Sequence, residues 1–112
     1  MGYGTGPGPV PEGHTHSYRG ITSYNVGHTH FFSGLSSVAY GGVGPHSHNL
    51  NGTTTVSDGH VHRYHIVTGP GISAGPGFHV HRYNGFSVAA GRGPHVHRIS
   101  GVTAPSRNDA VR

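Results

Sequence analysis

Histidines in closely spaced pairs are the residues of this chain that are most able to do chemistry. Imidazole nitrogen is the commonest protein ligand for transition-metal ions, and a pair separated by one residue offers two ligands from one short stretch of backbone. Six such pairs at regular spacing indicate metal binding far more strongly than a single pair would. The metal ligands we predict are His14, His16, His28, His30, His46, His48, His60, His62, His79, His81, His95 and His97.

The number of pairs that meet decides which ion is favoured. Two pairs supply four nitrogens, which suits tetrahedral Zn²⁺, and three pairs supply six nitrogens, which suits octahedral Fe²⁺, Co²⁺ or Ni²⁺. The chain has no Cys, which excludes thiolate zinc sites and iron–sulfur clusters. Its three acidic residues are too few for oxygen-rich Ca²⁺ or Mg²⁺ sites. We therefore expect a transition-metal cofactor from the set Fe, Zn, Ni, Co and Cu(II).

Each histidine pair opens a repeated motif, H-x-H-x-φ-x-G-x-S/T, in which φ is aromatic or aliphatic. Internal repeats define the architecture of a chain and are considered before other features. The fourth copy has Ile66 in place of the glycine and carries the thirteenth histidine, His65, which we place on the surface. The other five copies keep the glycine, as Gly20, Gly34, Gly52, Gly85 and Gly101.

The motif has the period of a β-strand. Alternate side chains of a strand point to opposite faces, so both histidines of a pair share one face, with Cα atoms about 6.6 Å apart. The same face carries the φ residues, and we expect Tyr18, Phe32, Tyr64 and Tyr83 to pack in a core or an interface. The opposite face is rich in Val, Arg and Thr, and no 3.6-residue period is visible.

A longer repeat groups the six motifs into three units, each with two motifs joined by a turn. Asp58-Gly59 and Gly93-Pro94 are typical turn sequences. The prediction is an all-β fold of three pseudo-repeated β-hairpin units with Gly/Pro-rich connections and no significant helix. The predicted domains are a Gly/Pro-rich arm at 1–13 that is a possible inter-subunit contact, a histidine-repeat β domain at 14–101 (units 14–45, 46–78 and 79–101) and a polar tail at 102–112.

Three arrangements of the pairs are compatible with this repeat. The first, third and fifth pairs of one chain could converge on one ion, with the second, fourth and sixth on another. Three chains could run side by side, so that each pair meets its symmetry mates. The two pairs of each hairpin could instead form a four-histidine site, and the sequence does not choose among these arrangements.

Composition narrows the class of protein. A hydrophobic fraction of 31% with 21 glycines is low for a globular core, so metal ions or oligomerisation are expected to supply stability. The net charge is +4 with neutral histidines, but the basic residues stand singly, so no nucleic-acid partner is expected. No apolar run has the length of a signal peptide or a membrane span.

With the repeat laid out, the sequence resembles the YmaF family of histidine-rich bacterial proteins. The resemblance is closest over DGHVH at 58–62, TGPGI at 68–72 and GFHVH at 77–81, followed by Gly85 and Ser87. The family occurs largely in spore-forming bacteria and supplies no catalytic residues to carry over. A second resemblance, confined to the motif, is to the tip of T-even bacteriophage long tail fibres, where three interwoven chains bind iron ions through His-X-His pairs.

The function we predict is that of a non-enzymatic structural protein. It binds transition-metal ions through its paired histidines and associates with itself into a homo-oligomer, as a fibre or filament at a spore surface, at a cell surface or outside the cell. A soluble metal-storage or buffering protein is the first alternative. A metalloenzyme is the second, and it is disfavoured because such sites need a carboxylate and an open coordination position, whereas the six pairs here are equivalent.

Overall fold

The computed structural model describes residues 13–91 and 93–109 of the chain. Of the predicted arm at 1–13, all but Gly13 lies outside these residues. Within them the chain forms eight β-strands and no helix, so none of the described residues belongs to a helix that could cross a membrane. The all-β prediction is therefore confirmed. The strands are β1 Ser17–Ile21, β2 Phe31–Leu35, β3 Asn49–Thr53, β4 Arg63–Val67, β5 Gly71–Ser73, β6 Phe78–Phe86, β7 Arg98–Val102 and β8 Ser106–Arg107.

Six of these strands form three antiparallel hairpins, consistent with the predicted repeat of hairpin units. β1 pairs with β2, β3 with β4, and β6 with β7. The two short strands β5 and β8 both pair with the first residues of β6, so the third hairpin belongs to a wider sheet. The sequence did not predict β5 and β8, because three and two residues are too short for a period to show.

The three hairpins pack against one another in a closed ring. β2 contacts β3, β4 contacts β6, and β7 returns to contact β1. Backbone hydrogen bonds join each hairpin to the next, from Ser37 N to Asn49 O (2.9 Å), from Val88 N to Arg63 O (2.7 Å) and from Ala104 N to Ser17 O (2.8 Å). The last bond links the end of the third hairpin to the start of the first, which closes a three-sided prism.

The core occupies the middle of this prism and consists of the six φ residues of the motif together with Ile66, which stands at the glycine position of the fourth motif. The aromatic rings among them have centroids 6.0–6.3 Å apart, and the hydroxyl groups of Tyr18 and Tyr64 share a hydrogen bond of 2.8 Å. Burial of the predicted aromatic residues is thus confirmed. The buried apolar side chains are Tyr18, Phe32, Leu50, Tyr64, Ile66, Tyr83 and Ile99.

The motif glycines make room for these rings. Gly34 lies opposite Tyr18 in the first hairpin, and a Cβ built on it would be 2.7 Å from the tyrosine hydroxyl. Gly52 lies opposite Tyr64, where a Cβ would approach the hydroxyl to 2.4 Å. The fourth motif has Ile66 instead of glycine, and its cross-strand partner is Leu50, a smaller side chain than the aromatic rings that face four of the five motif glycines. The motif therefore alternates large and small residues across each hairpin to keep the core volume.

Candidate metal centres

Each hairpin carries a histidine pair at both ends. In the first hairpin Ser17 lies opposite Leu35 and Ile21 lies opposite Phe31, so one pair precedes β1 and the other precedes β2 at the far end. The second hairpin has the same arrangement, and in the third hairpin the first pair lies within β6, just before the residues that pair with β7. Five strand residues lie between the two ends, and the six backbone steps from one end to the other span about 20 Å at 3.3 Å per residue. The two pairs of one hairpin are thus too far apart to share an ion, and a four-histidine site within a hairpin is not formed.

The structure instead gathers the pairs by their order in the units. The first pairs of the three units meet at one end of the prism, where they form what we call the leading cluster: His14, His16, His46, His48, His79 and His81. The second pairs meet at the other end and form the trailing cluster: His28, His30, His60, His62, His95 and His97. All twelve predicted residues therefore lie in two groups of six within one chain, and His65 is exposed on the surface.

In the leading cluster each of the six imidazole rings packs against four of the other five rings. The packed rings have centroids 4.6–5.2 Å apart. Among these six described residues, the pairs without ring contact are His14 with His81, His16 with His46, and His48 with His79. The trailing cluster repeats the pattern at 4.7–5.0 Å. Its pairs without ring contact are His28 with His62, His30 with His95, and His60 with His97.

This pattern is the connectivity of an octahedron, in which each corner adjoins every other corner except the opposite one. The first histidines of the three pairs, which we call the outer histidines, form one triangular face of each octahedron. The second histidines, the inner ones, form the opposite face. Each outer histidine lies opposite an inner histidine from a different hairpin, so all three hairpins are needed to complete either cluster.

The distances between nitrogen atoms fit the same geometry. With metal–nitrogen bonds of about 2.1 Å, adjacent nitrogens of an octahedron lie about 3.0 Å apart and opposite nitrogens about 4.2 Å apart. In the leading cluster Nε2 of His79 is 2.9 Å from Nε2 of His14 and 3.1 Å from Nε2 of His16. In the trailing cluster four adjacent Nε2 pairs are 3.1–3.3 Å apart. Five ligand nitrogens in each cluster lie within 4.8 Å of one another, and His46 and His95 complete the two sets by ring contact.

Two Nε2 atoms at this distance form a hydrogen bond only if one of them carries a proton. The groups around the inner histidines place the proton on Nδ1 instead. Each inner histidine has its Nδ1 atom against a backbone carbonyl oxygen, for example His16 against Ala104 O at 2.9 Å and His30 against Thr55 O at 2.7 Å. A carbonyl only accepts, so Nδ1 carries the proton and Nε2 of a neutral ring has a lone pair. The remaining inner histidines make the same bond at 2.8–2.9 Å, to Ser37 O, Val88 O, Gly69 O and Ser23 O.

The outer histidines are oriented in a similar way by different groups. In the trailing cluster their Nδ1 atoms face backbone carbonyls of their own turns, at Val26, Asp58 and Gly93, over 3.1–3.2 Å. In the leading cluster two of them face side-chain oxygens of Asp109 and Asn108. Lone pairs that point at one another from 3 Å repel, so a cation at the centre would relieve this repulsion, and both groups of histidines could hold a metal ion.

Burial favours the neutral form of eight of the twelve rings. Burial, followed by the neighbouring imidazoles, lowers the pKa of His16 and of His46 to about 4. Burial also lowers the pKa of the other five inner histidines and of His79. Neutral imidazole is the form that binds a metal ion. Four buried Nε2 atoms, those of His30, His46, His48 and His81, have no hydrogen-bond partner among the described residues.

The Ser or Thr at the last position of each motif supports the clusters. The motif contained this residue, but the sequence did not reveal its role. Its hydroxyl oxygen accepts a hydrogen bond from the backbone amide of an inner histidine on the partner strand, at 2.9–3.0 Å in all six motifs. The hydroxyl takes the place of a backbone carbonyl, and the regular strand therefore begins after the histidine pair in five of the six motifs. The residues are Thr22, Ser36, Thr54, Thr68, Ser87 and Thr103.

A known protein family matches most of the histidine repeat. A family model described as "YmaF: Spore germination protein GerY/YamF" matches residues 11–93, which include five of the six histidine pairs. No curated protein and no solved structure matches the chain.

Proposed function

The chain belongs to the YmaF family, and on that premise we propose that it is a non-enzymatic structural protein that holds one six-coordinate transition-metal ion in each histidine cluster. The observation that carries this proposal is the octahedral connectivity of both clusters, with the lone pairs of their nitrogens directed inward. Six imidazole ligands favour Fe²⁺, Co²⁺ or Ni²⁺, because Zn²⁺ prefers four ligands and Cu(II) prefers a tetragonal set.

The energetic cost of the unpaired buried nitrogens in the clusters supports the presence of a bound ion. Each buried polar atom that lacks a partner costs about 1–3 kcal/mol, and the two clusters contain four such nitrogens. A total of several kcal/mol is comparable with the whole stability of a small domain, about 5–15 kcal/mol. An ion bound by these nitrogens would remove that penalty and add the free energy of its own binding, which offsets the small apolar core.

A saturated octahedron also supports a structural role over catalysis. Catalytic metal sites keep a coordination position for water or substrate, and six protein nitrogens leave none. The carboxylates of the described residues, Asp58 and Asp109, lie on the Nδ1 side of the rings, away from the centre. Burial of the inner histidines likewise favours slow exchange of the ion, which is unsuited to a metal buffer.

Self-association and a place in germination complete the proposal. Each cluster draws all its ligands from one chain, so assembly would use the outer surface and would not need shared ions. That surface has exposed apolar side chains, such as the cross-strand neighbours Ile21 and Phe31, which are 57% and 59% exposed. The family description suggests that such an assembly acts in spore germination.

Elemental analysis combined with native mass spectrometry tests this function. We expect untagged protein to contain two ions per chain, with their loss on treatment with a strong chelator followed by a fall in thermal stability. Size-exclusion chromatography of the same samples measures self-association. Folded protein that contains no metal and takes up none from a Ni²⁺, Co²⁺ or Fe²⁺ solution would overturn the proposal.

A further inference from the structure

The C-terminal residues 106–109 lie across the outer face of the leading cluster. β8 pairs with the start of β6, which places Ser106 opposite His79. The chain then continues with a hydrogen bond from Asn108 N to Gly77 O at 2.8 Å and another from Asp109 N to Gly41 O at 3.0 Å. Backbone pairing thus holds this segment against the outer histidines.

Two side chains of the segment orient outer histidines. The Asp109 carboxylate accepts a hydrogen bond from Nδ1 of His14 at 2.9 Å through one oxygen and from Gly41 N at 2.9 Å through the other. Its side chain is only 5% exposed. The amide oxygen of Asn108 accepts from Nδ1 of His79 at 2.8 Å. A buried carboxylate therefore stands one imidazole ring away from the centre of the leading cluster.

The trailing cluster has no equivalent among the described residues. In the described part of the chain, Nδ1 of each outer histidine there is hydrogen-bonded to a backbone carbonyl, at the longer distances of 3.1–3.2 Å. Of the two described carboxylates, that of Asp58 is the nearer one, 3.7 Å from Nδ1 of His28, and it is 68% exposed, so water screens its charge.

We propose that Asp109 makes the two metal centres unequal, so that the leading cluster binds a divalent cation more tightly than the trailing cluster and releases it later. This inference rests on the proposed function. A carboxylate that accepts the Nδ1 proton makes the opposite nitrogen a better donor to the metal. A buried negative charge also attracts the divalent ion more strongly than an exposed one at a similar distance. Asp109 is a positioning residue, because it acts through His14 and does not contact the ion.

The test measures Ni²⁺ affinity of each centre by competition with a chelator of known affinity. The His62→Ala background isolates the leading centre, and the His48→Ala background isolates the trailing one. We expect Asp109→Asn to weaken the leading centre by about 10-fold, the lower end of the effect of such outer partners. The matched control, Asp58→Asn, is expected to change the trailing centre by less than about twofold, since exposed charges contribute little.

A second variant separates charge from structural damage. Asn108→Asp places another carboxylate on Nδ1 of His79 and is expected to tighten the leading centre, whereas a structural defect would weaken it. The inference fails if Asp109→Asn leaves the Ni²⁺ affinity of the leading centre unchanged. It also fails if Asp58→Asn changes the Ni²⁺ affinity of the trailing centre as much as Asp109→Asn changes that of the leading centre. In either case the binding of two ions is not contradicted. If the unaltered protein binds no Ni²⁺, it is the proposed function that fails.

Discussion

The backbone amide of His81 donates a hydrogen bond to the Thr103 hydroxyl across the third hairpin, at 3.0 Å. The same hydroxyl oxygen is 3.3 Å from Nδ1 of His16, which belongs to the first hairpin. One buried side chain therefore contacts inner histidines of two different hairpins. The hydroxyl residue at the end of the motif makes both contacts in five of the six copies, which explains the place of a hydroxyl group there.

Replacement of Thr103 by Val keeps the shape of the side chain and removes the hydroxyl group. The buried amide of His81 then lacks an acceptor, and we expect the free energy of unfolding to fall by about 1–3 kcal/mol. Urea denaturation monitored by circular dichroism measures the change. Thr53→Val is the control, since Thr53 is an exposed strand residue, and equal losses in the two variants would contradict the role assigned to Thr103.

The number of metal ions bound per chain should fall from two to one when either cluster alone loses a ligand. His48→Ala removes an inner ligand of the leading cluster and His62→Ala one of the trailing cluster, so each variant is expected to carry one ion per chain instead of two. Native mass spectrometry gives the count directly. His65→Ala is the control, because His65 lies on the surface outside both clusters. Loss of both ions from His48→Ala or from His62→Ala, while His65→Ala keeps both, would contradict two independent centres.

Acid should destabilise the metal-free protein over a defined range. The pKa of His16 and of His46 is lowered from 6.5 to about 4 in the folded chain, so between these values the unfolded chain binds protons that the folded chain does not. Stability therefore falls as the pH is lowered from about 6.5 towards 4. Denaturation midpoints at pH 8, 6.5, 5.5 and 4.5 measure this, and a midpoint that is constant or rises on acidification would contradict it.

The glycine opposite each aromatic ring should be sensitive to a single added methyl group. A Cβ at Gly52 would lie 2.4 Å from the Tyr64 hydroxyl, which is fixed by its bond to Tyr18, so Gly52→Ala is expected to destabilise the fold by about 1–3 kcal/mol. Gly69→Ala is the matched control, because a Cβ there would approach Arg82 O only to 3.7 Å. Thermal unfolding of both variants makes the comparison, and similar midpoints would show that the ring tolerates the methyl group.

Short-range sequence patterns predicted much of the fold. The two-residue period placed both histidines of a pair on the same face as Tyr18 and the other core residues, and this face is the buried one. Asp58 and Gly59 predicted a turn, and both have positive φ, of 53° and 79°, as a tight hairpin turn requires. These features depend on residues that are close in the chain, so local chemistry determines them.

The membership of each cluster was decided by the tertiary structure. His16 lies opposite His46, and no property of either motif selects that partner, because all six motifs expose the same pair of ligands. The choice depends on the order in which the three hairpins close into a ring. Asp109 contacts His14 across 95 positions of sequence, and only the folding of the C-terminal segment onto β6 brings them together. Local periodicity fixes the face on which a ligand lies, whereas closure of the whole chain fixes the ligands that it meets.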